Sequence, residues 1–90
     1  MKPLNSTEAL AVVEESLAQI VPDADFTRVR PGDKFRDVLE LDSLDFLSLV
    51  EILSERTGVR IEEDDYPELT TLADSTQFLV ARTGQGPLGP

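Results

Sequence analysis

The segment that most constrains this chain runs Asp42-Ser43-Leu44-Asp45-Phe46-Leu47-Ser48-Leu49-Val50-Glu51-Ile52-Leu53 and on to Gly58. Within it Phe46, Leu49, Val50 and Leu53 recur at i, i+3, i+4, i+7, the spacing of one buried helix face. Asp42 and Ser43 are both residue types whose side-chain oxygens cap the free N–H groups of a helix start, and Gly58 is a natural stop. This pattern predicts a helix over residues 43–57. Leu44, Leu47 and Ile52 widen its apolar stripe beyond one face, so the helix is either central or leaves apolar residues for a partner.

The flanking segments are helical too. Asn5-Ser6-Thr7-Glu8 has the form of a capping box, and Leu10, Val13, Leu17 and Ile20 follow on one face. Val21-Pro22 ends that helix, because Pro disfavours a helical conformation in the residue before it. Residues 22–42 contain Pro22, Pro31 and Gly32 and show no sustained period; so long a connection in a small domain is often functional. Phe26, Val29, Phe35, Val38 and Leu39 supply apolar anchors, which predicts a structured loop with one short turn near residues 35–39. Val59 and Ile61 read as buried connectors, and residues 65–69 as a short helical turn. Thr71 caps a last helix with Asp74 three positions on, Leu72, Phe78 and Leu79 facing inward, and Gly84 closing it.

No stretch alternates as a strand would. The expectation is all-α: a small four-helix bundle, three longer helices plus one short helix, with a long structured loop between helices one and two. Its expected core is Leu10, Val13, Leu17, Phe35, Leu39, Leu49, Val50, Leu53, Ile61, Leu72 and Leu79. Residues 1–83 form the expected domain and residues 84–90 a disordered Gly/Pro tail.

Ninety residues leave room for one core. The chain has no Cys and no His, so disulfides, thiol nucleophiles, imidazole bases and the usual zinc ligands are all excluded. No apolar run approaches the roughly 20 residues of a membrane span, so a cytoplasmic protein without membrane insertion is expected. The net charge is −10, and residues 42–68 alone hold nine acids against Arg56 and Arg60. Nucleic acid would be repelled and basic protein surfaces attracted. Such a face is either a solvated surface or a docking surface. No metal site is expected: Glu62-Glu63-Asp64-Asp65 form a run without a ligand loop, and in Asp23–Lys34 a lysine stands where an EF-hand needs a bidentate acid.

Taken alone, Asp-Ser-Leu before a helix reads as a cap. Its setting resembles the acyl carrier protein family, the phosphopantetheine-binding four-helix bundles. The family's Leu-Gly-x-Asp-Ser-Leu-Asp stands here as Leu39-Glu40-Leu41-Asp42-Ser43-Leu44-Asp45, and the family's loop aromatic eight residues before the Ser is Phe35. Gly58-Val59-Arg60-Ile61 fits the exit of the second helix, and Leu69-Thr70-Thr71-Leu72 fits the start of the last, so the resemblance covers about residues 10–79.

The resemblance implies that Ser43 accepts 4′-phosphopantetheine from coenzyme A, through a separate Mg²⁺-dependent phosphopantetheinyl transferase. It implies that Asp42 helps that enzyme dock, and that Leu44, Asp45, Glu51 and Glu55 meet basic patches on acyl-loading and acyl-processing enzymes. Leu44 faces outward on this reading, or into the core on the alternative. A monomeric, non-enzymatic carrier of acyl or aminoacyl thioesters in fatty-acid, polyketide or related lipid metabolism follows, with a peptidyl or D-alanyl carrier as the alternative. From another class, an acidic helical adaptor whose Ser43 is only a cap would share the composition. Three departures stand out: Glu40 replaces the family's Gly, Ser48 replaces an acid, and Phe46 replaces a small or polar residue and could fill the cleft that shelters an acyl chain. They point to a specialised carrier at least as strongly as to a housekeeping one.

The concentration of acids in residues 42–68 has a thermodynamic consequence that needs no family. Like charges brought together on folding lower stability, and added salt or Mg²⁺ screens them. The Tm is therefore expected to rise with ionic strength; a flat or falling curve would mean that the acids are already compensated internally.

Overall fold

Asn5 starts the first helix as its capping-box pattern requires: Asn5 Oδ1 accepts from the Glu8 N–H at 2.8 Å, and Glu8 Oε1 from the Asn5 N–H at 3.2 Å. In this computed structural model, which describes residues 3–84, α1 spans Ser6–Ile20, α2 Phe35–Val38, α3 Ser43–Thr57 and α4 Leu72–Gly84. A 3₁₀ helix, Glu63–Leu69, precedes α4. With α1, α3 and α4 it makes the expected set of three longer helices and one short one. The short helix starts two residues earlier than the sequence suggests, because the Asp65 carboxylate accepts from the Glu62 N–H at 3.0 Å and draws Glu63 and Asp64 into the turn. A second 3₁₀ turn, Phe26–Arg28, is capped by Asp25. Of the expected tail, Gly84 is described and is the last residue of α4; residues 85–90 lie outside the described residues.

Helix α1 packs against α3 and α4, and α4 against the Glu63–Leu69 helix. Val13, Leu17, Phe35, Leu49, Leu53, Leu69 and Leu79 are fully buried where these elements meet. Of the core expected from spacing, Leu10, Leu39 and Ile61 are half-buried at its edge rather than inside. Ala9 and Leu41 join the buried set instead. Removing the Phe35 ring from such a site would cost about 3–5 kcal/mol, the usual penalty of an emptied aromatic position.

The loop over residues 22–42 is held at both of its later turns. The Phe35 N–H donates to the Thr70 carbonyl at 3.2 Å, and Lys34 and Thr71 form an isolated antiparallel bridge. The Pro31 carbonyl accepts from the Ala73 N–H at 3.0 Å, and Thr71 Oγ1 from the Asp74 N–H at 3.0 Å. Two of the free donors at the start of α4 are satisfied in this way. The single turn α2 is thereby fixed against α4, and its last residues feed directly into α3.

That junction contains the one non-glycine residue with positive φ among the described residues, Glu40 at φ 55°. The Leu41 N–H donates to the Arg36 carbonyl at 2.8 Å and the Glu40 N–H to the Asp37 carbonyl at 3.4 Å, the paired bonds of a Schellman motif closing α2. Its left-handed position is where glycine fits without cost and a side chain does not. Glu40→Gly is therefore expected to raise stability, by up to about 1 kcal/mol after the added chain entropy of glycine is subtracted. Urea unfolding measures this; equal or lower stability would show that the Glu40 side chain is tolerated there without strain.

The 3₁₀ helix is stitched to α4 by Asp65, which accepts from Arg82 Nη2 at 2.7 Å while Arg82 lies over the Phe78 ring, 4.5 Å from its centroid. The Glu62 N–H and then the Arg82 guanidinium hold the Asp65 carboxyl below its ordinary 3.8. A carboxyl lowered in the folded state gives stability that is fully present above its unfolded pKa and is lost as pH falls through its folded one. The Tm advantage of the native protein over Asp65→Asn should therefore be full at neutral pH and shrink as pH falls below about 4. Thermal melts of both proteins across that range check it; an advantage that persists unchanged at pH 2 would contradict it.

Candidate functional site

The start of α3 separates two tasks that the sequence left joined. Asp42 is the cap: its Oδ1 accepts from the Asp45 N–H at 2.8 Å, and Asp45 Oδ2 accepts from the Asp42 N–H at a longer 3.4 Å. Ser43 is the first residue inside the helix, and it is exposed. Among the described residues its hydroxyl has no hydrogen-bond partner, and no acceptor takes up the N–H groups of Ser43 and Leu44. The first helical bond is made by the Phe46 N–H to the Asp42 carbonyl at 3.0 Å. The result is a primary hydroxyl beside two open donors, at the positive end of a helix of 15 residues. Such an end suits a phosphate ester, so the residues present fit a phosphodiester-linked group on Ser43. Asp45, half-buried, is the reciprocal member of the cap.

Beyond Ser43, α3 turns two faces outward and inward at helical spacing. Phe46, Leu49, Val50 and Leu53 are buried, as their period predicts. Leu44, Leu47, Ser48, Glu51 and Glu55 form the opposite, exposed stripe. Leu44 is 73% exposed and so faces solvent, the outward one of its two orientations. Leu47, one of the residues that widened the stripe, is 44% exposed; Val38, expected to anchor the loop on the core, is instead 42% exposed, because the single turn of α2 has one inward face and Phe35 takes it. Apolar side chains therefore flank Ser43, and acids continue along the helix. Farther on, the Glu62–Asp65 run is not one continuous outward patch. Glu62, Glu63 and Asp64 are exposed, but Asp65 is turned onto Arg82 and Glu62 lies 3.0 Å from Arg60. Among the described residues no three acids converge as a metal site, and no helix is long and apolar enough to cross a membrane.

On the other side of Ser43 a groove of about 490 Å³ opens between α2, α3 and the 3₁₀ helix, lined by Arg36, Ser43, Phe46, Leu47, Glu63, Tyr66, Pro67 and Thr70. Phe46 lines it without closing it: it is 4% exposed and meets Tyr66 edge to face, with ring centroids 5.2 Å apart. The Arg36 guanidinium lies over the Phe46 ring, 4.8 Å from its centroid. Arg36, Tyr66 and Thr70 were missed in the sequence. The signal that could have found them is weak, since Arg36 precedes Phe46 by ten positions across a turn and Tyr66 follows it by twenty.

Comparison with known proteins agrees with this geometry. A family model described as "Phosphopantetheine attachment site" matches residues 7–79. The acyl carrier protein of Tropheryma whipplei is 36% identical over 72 residues, covering 77% of this chain and 88% of its own length. Those of Acidothermus cellulolyticus and Rubrobacter xylanophilus are each 30% identical, over 89% and 86% of this chain and 94% of their own lengths.

Proposed function

The chain belongs to the acyl carrier protein family, and from that premise we propose that Ser43 is its attachment point for 4′-phosphopantetheine. The observation that supports this reading best is the division between Asp42 and Ser43. The cap is supplied by Asp42, so the exposed Ser43 hydroxyl is not needed to start the helix.

In the modification step Ser43 Oγ bonds to the phosphorus of coenzyme A that carries pantetheine, and 3′,5′-ADP leaves. The hydroxyl proton passes to a base on the transferase. The Ser43 and Leu44 N–H groups would hold the phosphodiester charge, and Asp42, with one carboxylate oxygen on the Asp45 N–H, would have its second for the transferase and its Mg²⁺. When bound, the prosthetic group supplies the thiol on which acyl groups are held as thioesters. The protein itself has no turnover: it shields, orients and presents.

Partner enzymes dock on the exposed stripe of α3. Leu44 and Leu47 provide apolar contact, and Asp45, Glu51 and Glu55 meet Arg and Lys, chiefly raising the encounter rate. The protein works as a cytoplasmic monomer in fatty-acid, polyketide or related biosynthesis.

Incubation with coenzyme A and a promiscuous transferase should add one prosthetic group by intact mass, and Ser43→Ala should abolish the addition. Ser43→Ala should change stability by less than about 1 kcal/mol, because the cap at Asp42 remains. Reversing Glu51 and Glu55 to Lys should slow modification or loading and weaken its dependence on salt. Helical protein that stays unmodified with several transferases would leave an acidic adaptor, with Ser43 a plain first-turn residue.

A further inference from the structure

We propose that the groove beside Ser43 receives a short acyl group with an oxygen acceptor beyond its thioester, selected by Arg36, and that the Phe46–Tyr66 pair excludes a long alkyl chain. This rests on the carrier reading of Ser43 and deepens it by naming a class of cargo.

The charge pattern points to Arg36. Arg28, Arg56, Arg60 and Arg82 each lie within salt-bridge distance of a carboxylate, and Arg30 and Lys34, which do not among the described residues, are exposed to solvent. Arg36 is half-buried, and among the described residues neither a carboxylate nor any hydrogen-bond acceptor meets its guanidinium. What holds it is the Phe46 face. This contact supplies no hydrogen-bond acceptor, so the N–H edge of the guanidinium remains free for one. That planar edge is complementary to a carboxylate or a carbonyl oxygen. Glu63 also lines the groove and would oppose an anion. It is exposed, however, and its field is screened by solvent, whereas the guanidinium is pinned and half-buried.

The depth of the groove decides against a long alkyl chain. None of the fully buried leucines of the core, Leu49, Leu53 and Leu69 among them, lines it. Its floor is the Phe46 ring, closed edge to face by Tyr66. An alkyl chain could reach the apolar interior only by parting these rings, whereas a short polar group can rest on them. The tether also makes a weak contact sufficient. A cargo joined through a flexible arm to Ser43, itself part of the groove wall, is present there at an effective concentration in the millimolar range.

The test loads Ser43 from octanoyl, succinyl and 3-oxobutanoyl coenzyme A with a promiscuous transferase, and intact mass is read first. Absence of any added mass is failure of the carrier reading; the remaining outcomes bear on the groove. Relative to the phosphopantetheinylated protein without cargo, the succinyl and 3-oxobutanoyl forms should shift the Arg36 Nε–H and the Tyr66 and Thr70 amide signals. A shift in the succinyl form alone would assign a carboxylate, and a shift in both any oxygen acceptor. Arg36→Gln should remove most of these shifts. The octanoyl form should leave the Leu49, Leu53 and Leu69 methyl signals where they were, until Tyr66→Ala or Phe46→Leu opens the floor and moves them. The proposal is overturned if octanoyl moves those methyls in the unaltered protein. It is overturned equally if Arg36 responds to the arm alone and not to cargo, or if Arg36→Gln leaves the shifts intact.

Discussion

The buried ring of Phe35 and the hydrogen bond from its N–H to the Thr70 carbonyl are what the site depends on. Residues 22–42 have no regular element long enough to hold themselves in place. Anchored at Phe35 they become a wall: α2 is held against the start of α4, its Schellman turn sets the entry into α3, and Arg36 comes to lie over Phe46. The groove thus joins three segments far apart in sequence through one core residue and one backbone contact. Burial of an aromatic in a close-packed interior resists displacement, which makes this wall stiffer than its loop-like sequence suggests.

Helix boundaries were legible because their causes are local. Asn5 with Glu8, Asp42 before Ser43, Gly58 at φ 75°, and Thr71 with Asp74 each act within four residues, and the helices start and stop where those residues stand. The family was legible because the setting of Ser43, from Phe35 through Thr71, follows its order, and that order is what marks Ser43 as the candidate. What was not legible depends on long-range placement. Asp65 is one of four adjacent acids, and only Arg82, seventeen positions on, makes it inward-facing. Leu10, Leu39 and Ile61 have the right spacing for the core, but each sits at an edge where the packing elements diverge. Arg36 had nothing beside it in sequence to mark it, since its partner is a ring on another helix.

The bond that closes the cap also frees the site. A hydroxyl that both began the helix and carried a covalent group would have to give up one role to take the other. With Asp42 holding the Asp45 N–H, the proposed modification at Ser43 would leave the helix start as it was. A carrier would benefit from this arrangement, because attaching a group leaves the helix start intact and recognition falls to the surface and groove around the attachment point.

That surface sets up a problem of its own. Val38 on α2 and Leu44 and Leu47 on the first turns of α3 are exposed apolar side chains, the kind of surface that draws identical molecules together. Each copy, however, has a net charge of −10, and much of it lies on the helix and turn beside that patch. Two copies approaching through their leucines bring these charges within a Debye length of about 8 Å at physiological salt, where repulsion is no longer screened. A basic enzyme meets the same leucines with the opposite field. A crowding of acids that costs the folded chain stability would in this way act as a filter on collisions: it would turn a sticky patch into one that is sticky only to cations.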